Sequence, residues 1–585
     1  MTPRRQTLVL FLLALAVLLP GIWEATGLTG KDEFYLGLRT PMEMMEGDHW
    51  LVPFLDGAPR IRKPPLLYWL GRLDFELFGP SLAAARALAA CFAALLVVSA
   101  AGIARRLLRD DRAGFVSGLI LLSCLGLHTE GRRFMLDVPT AALSAAAFWS
   151  LLVWLDRRRW PWLTLTALLL AAGFLVKGPV VALVCGGGFL ALLAGGRLSP
   201  ASLRPHWPAL LANAALCLAL ALPWFFLVRA LYPEATQHVL ADEMESRRFF
   251  DLTPGIVLGL ANIALPWFFV FASAAWEKRR QPQAPRLLLA WFLATFLPFL
   301  FIKSFDRYLV GSLVPLAIFL AWALPGLAAR WPFRLGMAVA LLFGASLAAF
   351  AFWFGLGGWP WLILPAAYFA WAWWRPRPLA HTAAAPTLFW IALLWGVFPA
   401  LGVNAVPPEV VELGRQRPVA LYDGPQPALL PILSVRTHRH YATVDAHDAT
   451  ELRALGAVVF AEDNDVPRLE AQLAAAGPRP PGQLPDPGQP RFRPALRPLR
   501  RRRPRLARSP GQPAPRPAAN HHPLVRGEGA MTLPRWLPPA FFALALAAAA
   551  WRAPQPAPPA FALPPPAAVA AAPADFAGEM LPAAG

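Results

Sequence analysis

RRRWPWLTLTALLLAAGFLVKGP, residues 157–179, is the stretch that decides the fold. Three arginines, Arg157, Arg158 and Arg159, lead into an apolar run from Trp160 to Val176, and Lys177-Gly178-Pro179 closes it. A bilayer core of roughly 30 Å takes about 20 apolar residues in a helix, so the run reads as one crossing. The same unit recurs along the chain. Further arginine loops stand at Arg4-Arg5, at Arg105-Arg106 with Arg109 and Arg112, at Arg197 to Arg204, at Lys278-Arg279-Arg280, at Arg330 to Arg334 and at Arg375 to Arg377. Loops carrying Asp, Glu, Lys, His and Tyr alternate with them. Lys/Arg excess marks the cytoplasmic side, which puts the chemically versatile loops outside.

The expected fold class is therefore an α-helical polytopic membrane protein with about thirteen transmembrane helices between residues 7 and 403. Expected spans include 161–176, 179–195 and 257–275. Closed barrels are excluded, because barrel strands alternate in polarity and these runs are continuous. A hydrophobic content of 57% over 585 residues, with mean hydropathy +0.46, likewise excludes an ordinary soluble domain. The net charge of +19 would suggest nucleic acid in a soluble protein. Here the arginines sit in short loops, where they set topology and touch anionic membrane lipids, so no nucleic-acid partner is expected. Cys91, Cys124, Cys185 and Cys217 lie in or beside apolar runs without CxxC spacing and read as small core residues. The first apolar run ends Leu19-Pro20-Gly21-Ile22-Trp23 with no small-residue cleavage site, and is expected to stay as an uncleaved helix.

Composition divides the chain into three parts. Residues 1–403 form the transmembrane domain. Residues 404–477 suggest a small periplasmic α/β domain, with β-like runs at Pro418–Tyr422 and Ala457–Phe460 and helical patterns at Ala449–Leu455 and Val466–Ala475. It lies on the same side as the versatile loops if the number of crossings is odd. Residues 478–585 are rich in Pro, Arg and Ala, include Arg500-Arg501-Arg502-Arg503, and lack the spaced apolar residues that offset ordering entropy. They are expected to be disordered. Within them, Met531-Thr532-Leu533-Pro534-Arg535-Trp536 before the apolar run Ala540 to Trp551 resembles the start of a separate signal peptide. That marks the tail as a candidate fusion or reading-frame artefact, and no function is assigned to it.

The longest expected outer loop, about Glu24 to Pro80, holds Lys31-Asp32-Glu33-Phe34-Tyr35, then Glu46-Gly47-Asp48-His49-Trp50, then Arg60-Ile61-Arg62-Lys63-Pro64-Pro65. Later blocks on the same expected side are Arg132-Arg133-Phe134-Met135-Leu136-Asp137-Val138-Pro139, Gly173-Phe174-Leu175-Val176-Lys177-Gly178-Pro179 and Leu222-Pro223-Trp224-Phe225. Glu245-Ser246-Arg247-Arg248-Phe249 and Lys303-Ser304-Phe305-Asp306-Arg307-Tyr308 complete them.

A carboxylate can control a proton at an acceptor, and a cation can stabilise the charge of a phosphate. Asp32 is the best-placed base; an acidic pair that only solvates a helix end is the alternative. Asp137 is a second carboxyl at a membrane boundary, where a plain helix N-cap is the alternative. Lys63 and Lys177 stand at helix ends before proline and can offer a compact charge to a phosphate; snorkelling to the interface is their alternative. Arg247, Arg248, Arg307 and Tyr308 are further candidates on the phosphate or sugar side. Trp50 reads as an interfacial anchor.

In order and sidedness these blocks resemble the GT-C glycosyltransferases that use polyprenyl-phosphate sugars. Over roughly the first 400 residues they are most similar to the bacterial aminoarabinose (lipid A) transferases and the related protein O-mannosyltransferases. The resemblance implies an inverting inner-membrane transferase whose active site faces the periplasm. It would move a monosaccharide from a polyprenyl-phosphate donor to a periplasmic lipid A-like lipid, protein or glycan, with no cofactor. It also implies that Asp32 is the catalytic acidic residue with Glu33 its partner in the motif, that Asp137 is the second acidic position, and that Tyr308 lies near the lipid phosphate. One departure stands out. The aminoarabinose transferases carry a Glu before the Lys-Pro and a His after the Arg-Phe block, a pair suited to structural zinc; here these positions hold Arg62 and the His-free run Phe249 to Pro254. No metal site is expected, since zinc needs several N, S or O ligands, and no spacing of His128, Glu130 and His238 demands one. The rival class is a polytopic lipid or solute transporter or flippase, which would place its charges at mid-membrane and show internal repeats.

Overall fold

The computed structural model describes residues 2–23, 32–55, 57–247, 250–279, 284–327, 331–374, 379–402, 408–416, 419–421, 432–433, 458–460 and 466–475. They fall into two compact units. Of the described residues, the first unit holds those of 2–53 and 59–402, and the second holds Phe54, Leu55, Gly57 and Ala58 with those from 408 to 475.

The first unit is a bundle of apolar helices, and the protein is a multi-pass membrane protein. Among the described residues, seven helical segments are long and apolar enough to cross a membrane, eight if a bent pair counts as one. One of the seven, Trp160–Ala194, holds 35 residues, about 50 Å of helix at 1.5 Å per residue and too long for one crossing. Its contacts show that it folds back. Ser150 Oγ donates to Trp162 O at 2.7 Å and Thr166 Oγ1 to Ala147 O at 3.4 Å, so the first half runs antiparallel to helix Asp137–Arg157. After the turn, Cys185 N donates to Ser144 Oγ at 3.1 Å, and Gly188 lies against Phe148, so the second half runs the other way. Gly178 at φ +71° makes the reversal, in a region that favours glycine. The expected spans 161–176 and 179–195 are thus two passes around one glycine turn.

The expected span 257–275 differs from expectation. It is two helices, Ile256–Ile263 and Phe268–Lys278, bent by 108°. Pro266 lies in the break, where it has no N–H to carry the helix on. Shorter helices such as Pro3–Leu18 and Asp111–Leu122 fall below full crossing length, so the thirteen expected spans do not each correspond to one long helix.

Small residues set the packing. Helix Leu82–Leu108 presents Ala89, Ala90, Ala93, Ala94, Ala100 and Ala101, all buried. It crosses Asp137–Arg157 so closely that a Cβ on Gly102 would lie 2.3 Å from the Trp149 ring. Apolar helices gain nothing from leaving water once both are in lipid, so close van der Waals contact between small residues holds them together. Leu313–Ala323 is buried along almost its whole length and forms the bundle's central helix. Two buried indoles are paired across the bundle: Trp267 Nε1 donates to Ser123 Oγ at 2.8 Å, and Trp390 Nε1 to Ser123 O at 3.2 Å. Cys124 and Cys185 are buried, as expected for core residues, whereas Cys91 is exposed on the bundle surface; all four cysteines are free thiols.

In the second unit, strands Val419–Leu421 and Val458–Phe460 pair in parallel with Val419 opposite Val458. Helices Pro408–Gln416 and Val466–Ala475 accompany them. The strands fall in the two β-like runs of the sequence. The helical pattern at 449–455 and the whole of 478–585 lie outside the described residues.

Candidate functional site

Four segments bring the predicted acidic and basic residues to one end of the bundle. Asp32 opens a helical stretch that runs as a π-helix over Glu33–Leu38 and as an α-helix over Arg39–Glu46. Asp137 is the first residue of helix Asp137–Arg157, where its charge faces the positive end of the helix dipole. Lys177 is the last residue of Trp160–Lys177, where a cation faces the negative end. Arg307 and Tyr308 lie in the 3-10 turn Asp306–Ser312 that leads into the central helix.

These residues form one chain of charges. Lys177 Nζ pairs with Asp137 Oδ1. Arg307 Nε lies 3.5 Å from Asp137 Oδ2, and Arg307 Nη2 lies 3.1 Å from Asp32 Oδ2. A single guanidinium therefore bridges the two carboxylates that the motifs singled out. Beneath them the Tyr308 ring centroid is 3.5 Å from Lys177 Nζ, a cation–π contact, and Arg307 lies over the Phe305 ring at 4.5 Å. Arg307 N donates to Asp306 Oδ1 at 2.9 Å, and Asn262 Nδ2 to Asp306 Oδ2 at 3.4 Å, which ties the turn to the bent helix pair. The Asp32 side chain keeps 32% of its surface exposed, whereas Asp137 and Lys177 are almost closed off. A small cavity lies beside the chain of charges; Asp137, Lys177 and Tyr308 line it together with Thr140, Ser144 and Ser312.

Glu33 requires a correction. It stands with the catalytic candidates in the motif, yet its side chain is 0% exposed. Its Oε1 accepts from Arg86 Nε at 3.0 Å and from Phe134 N at 2.9 Å, and its Oε2 accepts from Arg86 Nη2 at 2.7 Å. Burial pushes its carboxyl up, but the Arg86 guanidinium, Arg133 and the Phe134 amide outweigh it and hold the group below the usual carboxylate range. Glu33 fixes the Asp32 helix to helix Leu82–Leu108 and to the Arg132–Asp137 block. Its part is positioning, because a closed pocket leaves no face for a substrate.

The other candidates spread apart. Lys63 Nζ is 2.9 Å from Glu243 Oε1, and Arg62 pairs with Asp242 and Glu243, so the start of helix Leu66–Phe78 is tied to helix Pro233–Arg247. Arg62 and Lys63 thus hold this junction by ion pairs. Arg247 ends that helix, and Arg248 lies outside the described residues. No cluster of three metal-ligating side chains occurs among the described residues.

Sequence reasoning missed Arg86 and Arg133. Arg86 sits in an apolar run, and an arginine inside a span normally has a partner or a function; that was the available signal. Arg133 pairs with Glu130 at 3.1 Å. Burial raises the Glu130 carboxyl, Arg133 opposes this, and the charges of Asp306 and Asp137 add to the rise.

These features define a polytopic membrane protein of GT-C type. The family model for dolichyl-phosphate-mannose-protein mannosyltransferase matches residues 62–226. Undecaprenyl phosphate-α-4-amino-4-deoxy-L-arabinose arabinosyl transferase of Pseudomonas paraeruginosa is 30% identical over 379 residues, covering 59% of this chain and 66% of that protein. Its counterpart in Pseudomonas savastanoi pv. phaseolicola is 27% identical over 349 residues, covering 55% and 61%. The crystal structure of ArnT from Cupriavidus metallidurans bound to undecaprenyl phosphate shares the fold, with TM-score 0.62, 20% identity, and coverage of 79% of this chain and 94% of that one. The chain belongs to a GT-C, aminoarabinose transferase-like family. It spans 61% to 66% of the length of these curated relatives.

Proposed function

We propose that this protein is an inner-membrane glycosyltransferase that moves a monosaccharide from a polyprenyl-phosphate donor to a periplasmic acceptor, a lipid A-like lipid above all, with inversion at the anomeric carbon. The observation that carries the reading is the half-exposed Asp32 joined through Arg307 to the Asp137–Lys177 pair. An acceptor hydroxyl oxygen attacks the anomeric carbon and gives its proton to Asp32. The bond from that carbon to the phosphate oxygen breaks, and the lipid phosphate leaves with the electron pair. Its growing charge is met by Lys177, with Lys63 and Arg247 as further cations, and by the edge of Tyr308. In the resting arrangement Lys177 is held by Asp137; an arriving phosphate shares that cation. Arg307 keeps the two carboxylates in register. The reaction so written consumes no nucleotide and no redox equivalent.

The relatives are named for arabinosyl transfer from undecaprenyl phosphate, and the donor class proposed here follows them; the donor would arrive laterally between helices. The topology that suits this chemistry has a cytoplasmic N-terminus, about thirteen crossings, and a periplasmic α/β domain over 404–477. A transporter would move its cargo without breaking a covalent bond. Purified protein incubated with labelled polyprenyl-phosphate monosaccharides and lipid A should form glycosylated lipid A, and an unconsumed donor with every acceptor would end the transferase reading. For sidedness, Asp423→Cys should react with an impermeant thiol reagent in intact spheroplasts; labelling only after lysis would reverse the orientation.

A further inference from the structure

The turn that carries Arg307 and Tyr308 runs as a 3-10 helix for seven residues, Asp306–Ser312. Such runs rarely exceed three or four residues, because their hydrogen bonds are poorly aligned. This one is held from outside, at its first residue. Asp306 sits over Gly259 so closely that a Cβ there would lie 2.9 Å from Asp306 Cβ and 3.3 Å from its Cα. Asn262, one turn further along helix Ile256–Ile263 and on the same face, donates through Nδ2 to Asp306 Oδ2 at 3.4 Å. Asp306 Oδ1 accepts from Arg307 N at 2.9 Å. The seat is itself fixed to a neighbour. A Cβ on Gly126 would lie 2.5 Å from Ile263 Cβ, and Leu125 N donates to Leu265 O at 2.9 Å.

Asp306 forms no ion pair among the described residues, and the Arg307 guanidinium is turned away from it to Asp32 and Asp137. Its oxygens hold a backbone amide and a side-chain amide instead. Asp306 therefore acts on where the Arg307 main chain stands, and through it on where the guanidinium and the next ring point. Both of those contacts are close. The guanidinium reaches two carboxylates at 3.1 and 3.5 Å, and the Tyr308 centroid lies 3.5 Å from Lys177 Nζ. A misplacement of about 1 Å at reacting groups can cost a hundredfold in rate. Resting on the transferase reading above, we propose that Asp306, seated on Gly259 and Asn262, is a positioning residue for the reaction. It sets Arg307 so that Asp32 and Asp137 are held at their working separation. Asp306 itself touches neither donor nor acceptor and moves no proton.

The test joins a rescue to a mutant cycle. The full-length protein is assayed with lipid A as acceptor and neryl-phosphate arabinose, glucose or mannose as donor. Asp306→Ala should lower kcat about ten- to hundredfold, with donor and acceptor KM changed about twofold or less. Asp306→Asn should restore most of the loss, because an amide oxygen still accepts from Arg307 N and the lost charge had no cation partner. Gly259→Ala, which displaces the turn without altering a polar group, should lower kcat in the same way. In an Arg307→Met background, Asp306→Ala and Gly259→Ala should each cost little more, because their effect passes through that side chain. A role confined to folding predicts a lower Tm with kcat per folded molecule unchanged. That result, losses that multiply in the Arg307→Met background, or no rescue by Asp306→Asn would overturn the assignment. Any of these with active unaltered protein leaves the transferase reading standing. If the unaltered protein transfers none of the three sugars, the transferase reading itself fails and the inference goes with it.

Discussion

Asp32 and Glu33 are neighbours in the chain and opposites in the structure. Glu33 is closed in a dry pocket, both oxygens held by Arg86 and one also by the Phe134 amide. Asp32 stands at the open edge, paired with Arg307 and with about a third of its surface exposed. The first carboxylate belongs to an anchor that joins three segments; the second belongs to a chain of charges that ends at Lys177 and a cavity. Adjacent acids in one motif therefore divide the work. In the proposed reaction, the buried one fixes geometry and its neighbour meets the substrate.

The division can be broken most severely from the Glu33 side. Glu33→Gln should leave the Arg86 guanidinium buried without a countercharge, a change that typically costs about 3–5 kcal/mol. A drop in Tm and in the yield of folded protein in detergent is expected; activity loss with an unchanged Tm would move Glu33 back among the catalytic residues. Asp32→Asn should do the reverse. It keeps the shape and the fold but removes the base, so turnover should fall about a hundredfold or more with Tm unaltered. Near-normal turnover would rule Asp32 out and leave Asp137 as the next candidate.

Lys177→Met and Lys63→Met come next in size. A charge-assisted hydrogen bond to the leaving phosphate is worth roughly 1.5–3 kcal/mol, one to two orders of magnitude in rate. The loss should appear more in kcat than in donor KM, because the phosphate charge grows in the transition state. Lys→Arg should restore only part of it, since a planar fork replaces a point charge. Free replacement by Arg at both positions would mean the lysines only snorkel. Lys63→Met should in addition release the junction with Glu243, measurable as faster proteolysis near helix Pro233–Arg247.

The smallest effect sharpens the comparison through pH. The Glu33 carboxyl is held below its ordinary value in the folded protein, so its stabilisation is complete above the unfolded value of about 4.3. It is lost as pH falls further, through the lower folded value. An acid scan of Tm should show this loss in the unaltered protein and in Asp32→Asn. It should be absent from Glu33→Gln, and an identical acid slope in all three would remove Glu33 as the source.

Much of this architecture was written in local pattern. Arginine loops and apolar runs gave the class of fold and the glycine turn at Gly178, because hydrophobic length and charge sidedness act residue by residue against the bilayer. The motif order placed Asp32, Asp137, Lys177, Arg307 and Tyr308 on one expected side. What pattern left unresolved was who pairs with whom. In sequence Asp32 reads as the base and Glu33 only as its partner in the motif, and it takes the approach of Arg86, 53 residues away in the chain, to show Glu33 as an anchor. Arg307 likewise looks like a phosphate ligand in sequence and becomes a bridge between carboxylates only because helix Asp137–Arg157 and the Asp32 turn converge on it. The break at Pro266 and the seat of Asp306 over Gly259 are of the same kind. Solvation and sidedness are properties of segments and can be read in one dimension. Charge pairing and the seating of a turn on a helix depend on distances between segments, and only the packed bundle sets those.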